Sequence, residues 1–200
     1  MAPTPVLYYD LVSPEAYLAA ERSAEVLGVV PEWQPIHLAQ LPGAGEPDAF
    51  RCAEERDIFR AELERRAAAQ HLQPLRWPAD WPNDTALAMR VATYAKSIGR
   101  VVAFSLAAFR QAYAAGRDLS DSDCVLIAAA ACEMHPNAVL KAAELRSTDR
   151  ELNKQTARAA RVGVRTLPAV LYGDQVFAGE AALERAATHM RASARAGAGG

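Results

Sequence analysis

The stretch that most constrains this chain is Val6-Leu7-Tyr8-Tyr9-Asp10-Leu11-Val12-Ser13-Pro14-Glu15-Ala16-Tyr17-Leu18. Val6, Leu7, Tyr8 and Tyr9 are β-branched, aliphatic or aromatic with no breaker among them, which predicts a buried strand. Ser13 then stands at a helix N-cap, with Pro14 at the first helical position and Glu15 in the first turn. The amphipathic pattern continues to Leu27, and Gly28 ends it. A strand passing through one short turn into a helix holds the Ser13 hydroxyl at the positive end of a helix dipole. Such a position favours an anion by ~0.3–1 kcal/mol when exposed, and it lowers the pKa of a thiol bound there. Serine before proline is also a common way simply to cap a helix. The residues by themselves support both readings.

Further along, residues 32–38 read as a second strand, with Pro35 assigning it to an edge or a bulge. Residues 41–47 break the pattern as a loop. Strand, helix and parallel strand make a right-handed crossover. From Asp48 the pattern is helical for more than a hundred residues. A charged helix is predicted over 48–71, with Phe50, Ile58, Phe59 and Leu63 as its apolar stripe. A turn-rich segment carrying Trp77-Pro78 and Trp81-Pro82 follows, and then helices over 85–98, 101–115, 118–134, a short one from Pro136, and 148–161. Strand character returns over 166–172; Gly173-Asp174 reads as a two-residue hairpin turn into 175–178, with a helix over 179–191 and a frayed tail beyond. This divides the chain into an α/β domain, residues 1–47 and 162–200, and an inserted helical subdomain, residues 48–161. The insertion must pack on the α/β part, because several of its helices are too short to stand alone.

The order strand-helix-strand, helical insertion, hairpin-helix is the thioredoxin-like arrangement. Pro168 at the start of the third strand fits it, since in that fold a cis proline faces the turn that begins the first helix. A trans proline merely opening an edge strand is the alternative.

Composition excludes several classes. A hydrophobic fraction of 51% and a charged fraction of 23% describe an ordinary globular chain rather than a disordered one. The net charge of -2, with its charges interspersed, argues against a nucleic-acid or anionic-membrane surface. No apolar run is long enough to span a bilayer, and the first residues lack the pattern of a signal peptide, so a cytoplasmic location is expected. Cys52, Cys124 and Cys132 form neither a C-x-x-C nor a metal-ligand pattern. Cys124 and Cys132, eight apart within one predicted helix, are expected to pack as small hydrophobes on one face.

These residues resemble the DsbA-like branch of the thioredoxin superfamily that includes 2-hydroxychromene-2-carboxylate isomerases and kappa-class glutathione transferases. The likeness rests on the segment from Tyr9 to Leu18, on Trp81-Pro82-Asn83-Asp84-Thr85-Ala86-Leu87-Ala88-Met89-Arg90, on Phe109-Arg110-Gln111-Ala112-Tyr113, on Asp118-Leu119-Ser120, and on Gly163-Val164-Arg165-Thr166-Leu167-Pro168 with Phe177-Ala178-Gly179. Redox members begin the first helix with C-x-x-C; here Ser13 and Ala16 occupy those positions, which excludes dithiol exchange through this turn. The resemblance implies a thiol-dependent isomerase or transferase acting on a small, aromatic electrophile, with glutathione or another low-molecular-weight thiol as cofactor. It implies that Ser13 donates its hydroxyl to the cofactor thiolate and that Leu167, before Pro168, pairs its backbone with the cofactor's cysteinyl unit. Glu180 would supply, from a shifted position, the carboxylate that holds an ammonium group. Glu46 stands where the family often offers an asparagine, and Glu15 where an aromatic is usual. Tyr17, His37, Trp77 and Trp81 are expected around a substrate pocket, each with packing as the alternative. The partners implied are a small molecule and, from the habits of related enzymes, a second copy of the chain. Two other functions remain open at this stage: an oxidoreductase in the broad DsbA-like sense, and a binding module without chemistry.

Overall fold

Val6–Tyr9, apolar on both faces, forms the interior strand β1 of the computed structural model, which describes residues 3–198. β2 (Glu32–Pro35) pairs with it in parallel; β3 (Ala169–Tyr172) pairs antiparallel on its other side, and β4 (Gln175–Ala178) completes the order β2-β1-β3-β4. Leu7, Tyr8 and Tyr9 are all buried, as a strand covered on both faces requires. Pro35 lies on the edge strand, where its missing N–H is tolerated. This strand is shorter than predicted: Ile36 N still donates to Tyr9 O at 3.1 Å, and the chain then bends into a 3-10 turn, Leu38–Gln40.

Between β2 and β3 lie α2 (Ala53–Ala69), α3 (Ala86–Ser97), α4 (Val101–Tyr113), α5 (Ser122–Ala130), α6 (Pro136–Glu144) and α7 (Arg146–Arg161). With α1 (Pro14–Leu27) and α8 (Ala182–Ala198) they cover the sheet unequally. One face carries a large apolar core shared with α1, α3, α4 and α8; the other carries a small one in which Ala159 of α7 meets Tyr8, Ile36 and Ala169. The tyrosines of the opening stretch tie the layers together. Tyr9 meets Trp33 edge-on at 5.4 Å and Phe109 at 5.8 Å, and Tyr17 stacks on Tyr113 at 5.6 Å.

Three boundaries and one buried-face assignment differ from the sequence reading. Helix α2 begins at Ala53 rather than at residue 48, because the preceding turn carries the Phe50 ring onto Phe59, 5.2 Å away. Ile58, expected in the apolar stripe of α2, is 64% exposed, whereas Leu63 is buried. Helix α5 stops at Ala130, so Cys124 and Cys132 do not share a helix, although both are buried. Helix α8 runs on to Ala198 where fraying was expected; its alanines and arginines sustain it. Gly199 and Gly200, the rest of that predicted tail, lie outside the described residues.

Candidate functional site

The turn between β1 and α1 is held from behind by side chains far away in sequence. Asp10, 1% exposed, accepts from Val12 N at 3.1 Å and Thr85 Oγ1 at 2.9 Å on one carboxylate oxygen, and from Leu38 N at 2.8 Å on the other. Val12 O accepts from Tyr113 Oη at 2.6 Å and Trp81 Nε1 at 3.0 Å, and Leu11 N lies 3.4 Å from Met89 Sδ. Burial pushes the Asp10 carboxyl up from its ordinary value, and its hydrogen bonds pull it back only in part. The helical insertion therefore sets the geometry of the turn.

In front, most backbone donors of the first turn of α1 are already spent. Ser13 N donates to Asp10 O at 3.2 Å, Pro14 has no N–H, and Ala16 N donates to Ser13 Oγ at 3.1 Å. The Ser13 hydroxyl, almost fully buried, donates to Glu15 Oε2 at 3.0 Å. Burial raises the Glu15 carboxyl, against the opposing pull of its own N–H, Ser13 and the Arg66 guanidinium. Ser13 is thus a helix cap and, at the same time, a hydroxyl facing an open space.

That space is a cavity of ≈ 260 Å³ over Ser13 and Glu15. Phe50, Phe59 and Trp81 line one side, with Phe59 and Trp81 stacked at 6.0 Å; Arg165, Thr166 and Leu167 line another, and Glu46 lines it from the loop after β2. The Leu167-Pro168 bond is cis, as the arrangement of the fold predicts. No cysteine lines the cavity, and among the described residues no cluster of His, Cys, Asp and Glu is arranged to hold a metal.

Of the residues singled out from sequence, Ser13, Trp81 and Leu167 meet at this cavity, together with Glu46 and Glu15, two departures from the family pattern. The others lie elsewhere. Tyr17 is buried in the core against Tyr113. Trp77 stands behind Trp81 at 5.3 Å, with its Nε1 donating to Glu64 at 2.8 Å and the Arg60 guanidinium over its ring. His37 lines a neighbouring cavity with Asn83 and Thr85, its Nδ1 4.0 Å from Asp10. Pro168 accepts from Gly179 N at 2.9 Å. Glu180, with a side chain 69% exposed, pairs with Arg66 at 3.3 Å and does not line the cavity. Phe50, Phe59 and Arg165 do line it and were not expected there. Phe50 and Phe59 were read as the apolar stripe of a helix, and Arg165 gave no signal beyond its place before Leu167-Pro168.

A model of the DSBA-like thioredoxin domain matches residues 6–191. Among curated proteins, none matches the chain in sequence. The solved structure of a 2-hydroxychromene-2-carboxylate isomerase superposes with a TM-score of 0.86 at 19% identity, covering 98% of each chain. A Streptomyces coelicolor protein described as a probable DsbA oxidoreductase superposes at 0.80 with 18% identity, over 95% of this chain and 90% of that one. Identities this low carry the fold and nothing finer. The match over almost the whole length carries more, and the chain belongs to the DSBA-like thioredoxin domain family.

Proposed function

We propose that this protein uses a small thiol of the glutathione type to isomerise or conjugate a small aromatic electrophile. The observation that carries the reading is the Ser13 hydroxyl at the N-terminus of α1, facing a cavity with an aromatic wall and no cysteine. When bound, the thiol supplies a soft nucleophile that no residue of the cavity offers. Ser13 holds the sulfur by a charge-assisted hydrogen bond worth about 1.5–3 kcal/mol. The helix dipole adds to that hold, and the stacked rings of Phe59 and Trp81 bind the flat face of the substrate. Arg165 offers a cation to a carboxylate on either ligand. The fit is good at the sulfur and poorer at the far end of glutathione, where Glu46 faces any carboxylate with like charge. The isomerase superposition supports the reading at the level of fold, and Ser13 with Ala16 keeps dithiol exchange out of it.

The test is a melting curve with and without millimolar glutathione, repeated with cysteamine, which has no carboxylate, and with Ser13→Ala as control. A ligand at a hundredfold excess over its Kd stabilises by about 2.7 kcal/mol, a visible shift. The reading expects a shift that shrinks in Ser13→Ala; no shift with either thiol refutes it. A second reading, a binding module without chemistry, is favoured by the Ser13 hydroxyl being engaged by Ala16 N and Glu15 already, and it expects aromatic ligands to bind regardless of thiol.

A further inference from the structure

We propose that Glu15 is the proton acceptor for the thiol, with the Ser13 hydroxyl as the relay between them, an inference that rests on the thiol-dependent reading above. Ser13 Oγ already stands in a directed chain. It accepts from Ala16 N at 3.1 Å and gives its own proton to Glu15 Oε2 at 3.0 Å. A hydroxyl so engaged has no proton left for a thiolate, yet it has a lone pair for an incoming S–H.

Reversing the chain resolves the conflict in one step. Ser13 Oγ takes the proton of the S–H group as it hands its original proton to Glu15 Oε2. The S–H bond and the old Oγ–H bond break; a new Oγ–H bond and an Oε2–H bond form. The negative charge moves from carboxylate to sulfur, the net charge of the cavity is unchanged, and Ser13 ends as a donor to the thiolate. Pro14 has no N–H and Ala16 N is already spent on Ser13 Oγ, so the hydroxyl is the side-chain donor of this turn, and it must be released from Glu15 before it can serve a thiolate.

The surroundings favour this over loss of the proton to water. An ionised Glu15 beside a thiolate would set two like charges in a half-buried cavity that Glu46 also lines. Burial holds the Glu15 carboxyl above its ordinary range, which brings it nearer to a thiol in proton affinity. The groups that face it from each packed element agree. Arg66 of α2 favours the carboxylate, but its guanidinium is shared with Glu180. Arg165 approaches from the loop before β3 with one guanidinium nitrogen committed to Ala160 O and Val164 O. Tyr113 of α4 stays neutral, its hydroxyl raised well above the ordinary value, and Asp10 is occupied by its own donors behind the turn.

The experiment first locates the Glu15 titration in the ligand-free protein from its side-chain carboxyl carbon shift. Above that pH, glutathione or cysteamine is bound in buffers of different ionisation enthalpy while the ultraviolet thiolate band is recorded. The proposal expects a thiolate band in the wild type with almost no proton released. In Glu15→Gln, where the acceptor is gone, each thiolate that forms should release about one proton to the buffer. A wild type that binds thiol and releases as much proton per thiolate as the variant overturns the proposal, as does binding with no thiolate band. The first of those results leaves the thiol-dependent reading standing; the second leaves thiol binding but removes the charge-assisted hold of Ser13 on the sulfur. Absence of binding by either thiol removes that reading and the proposal together.

Discussion

Asp10 and Glu15 stand five positions apart on either side of the same turn, and burial raises both carboxyls. Their partners separate them. Asp10 accepts two backbone N–H groups and a threonine hydroxyl, all within 3.1 Å, and faces into the protein. Glu15 receives a hydrogen bond from one serine hydroxyl and lines an open cavity. A buried carboxylate surrounded by donors is part of the scaffold. One that shares a single movable proton with a hydroxyl is placed to exchange it.

That contrast orders the expected effects of mutation. Asp10→Ala strands three donors, two of them buried, and should cost about 3–5 kcal/mol in a denaturant titration, the largest loss at the site. Thr85→Val removes one of those donors from the carboxylate and should cost about 1–2 kcal/mol. Tyr113→Phe leaves Val12 O still bound by Trp81, so a loss near 1 kcal/mol is expected by the same measure. Glu15→Gln should lose least and reverse sign with pH. A carboxyl raised in the folded state makes the fold lose stability as pH climbs from the ordinary carboxylate range through the raised value. Melting curves should therefore show Glu15→Gln gaining on the wild type across that window, with the Asp10 contribution common to both. A Glu15→Gln variant as damaged as Asp10→Ala would erase the distinction.

The frame of this site was legible in the sequence because its signals are local. Ser13-Pro14-Glu15 caps a helix by its own chemistry, and Leu167-Pro168 stands at the mouth of a strand. What was hidden depends on contacts across the chain. Asp10 reads as an ordinary polar residue after a strand until Leu38 and Thr85, 28 and 75 positions away, arrive as donors. Tyr17 follows Ser13 by one helical turn, which suggests a shared cleft, but the packing of α4 draws its ring onto Tyr113. Phe50 was counted into a helix that begins only after it, and the turn it occupies instead carries its ring to the wall of the cavity. Periodicity reports which faces are apolar; it does not report which apolar face is left uncovered.

Thiol chemistry at this site depends on where the sulfur comes to rest. A crystal structure with glutathione or cysteamine at the site measures that directly. The sulfur should lie within hydrogen-bond reach of Ser13 Oγ, between Leu167 and the rings of Phe59 and Trp81, with Glu15 rotated or protonated beside it. A thiol seated with its sulfur away from Ser13, or carried as a mixed disulfide on exposed Cys52, would contradict the central claim.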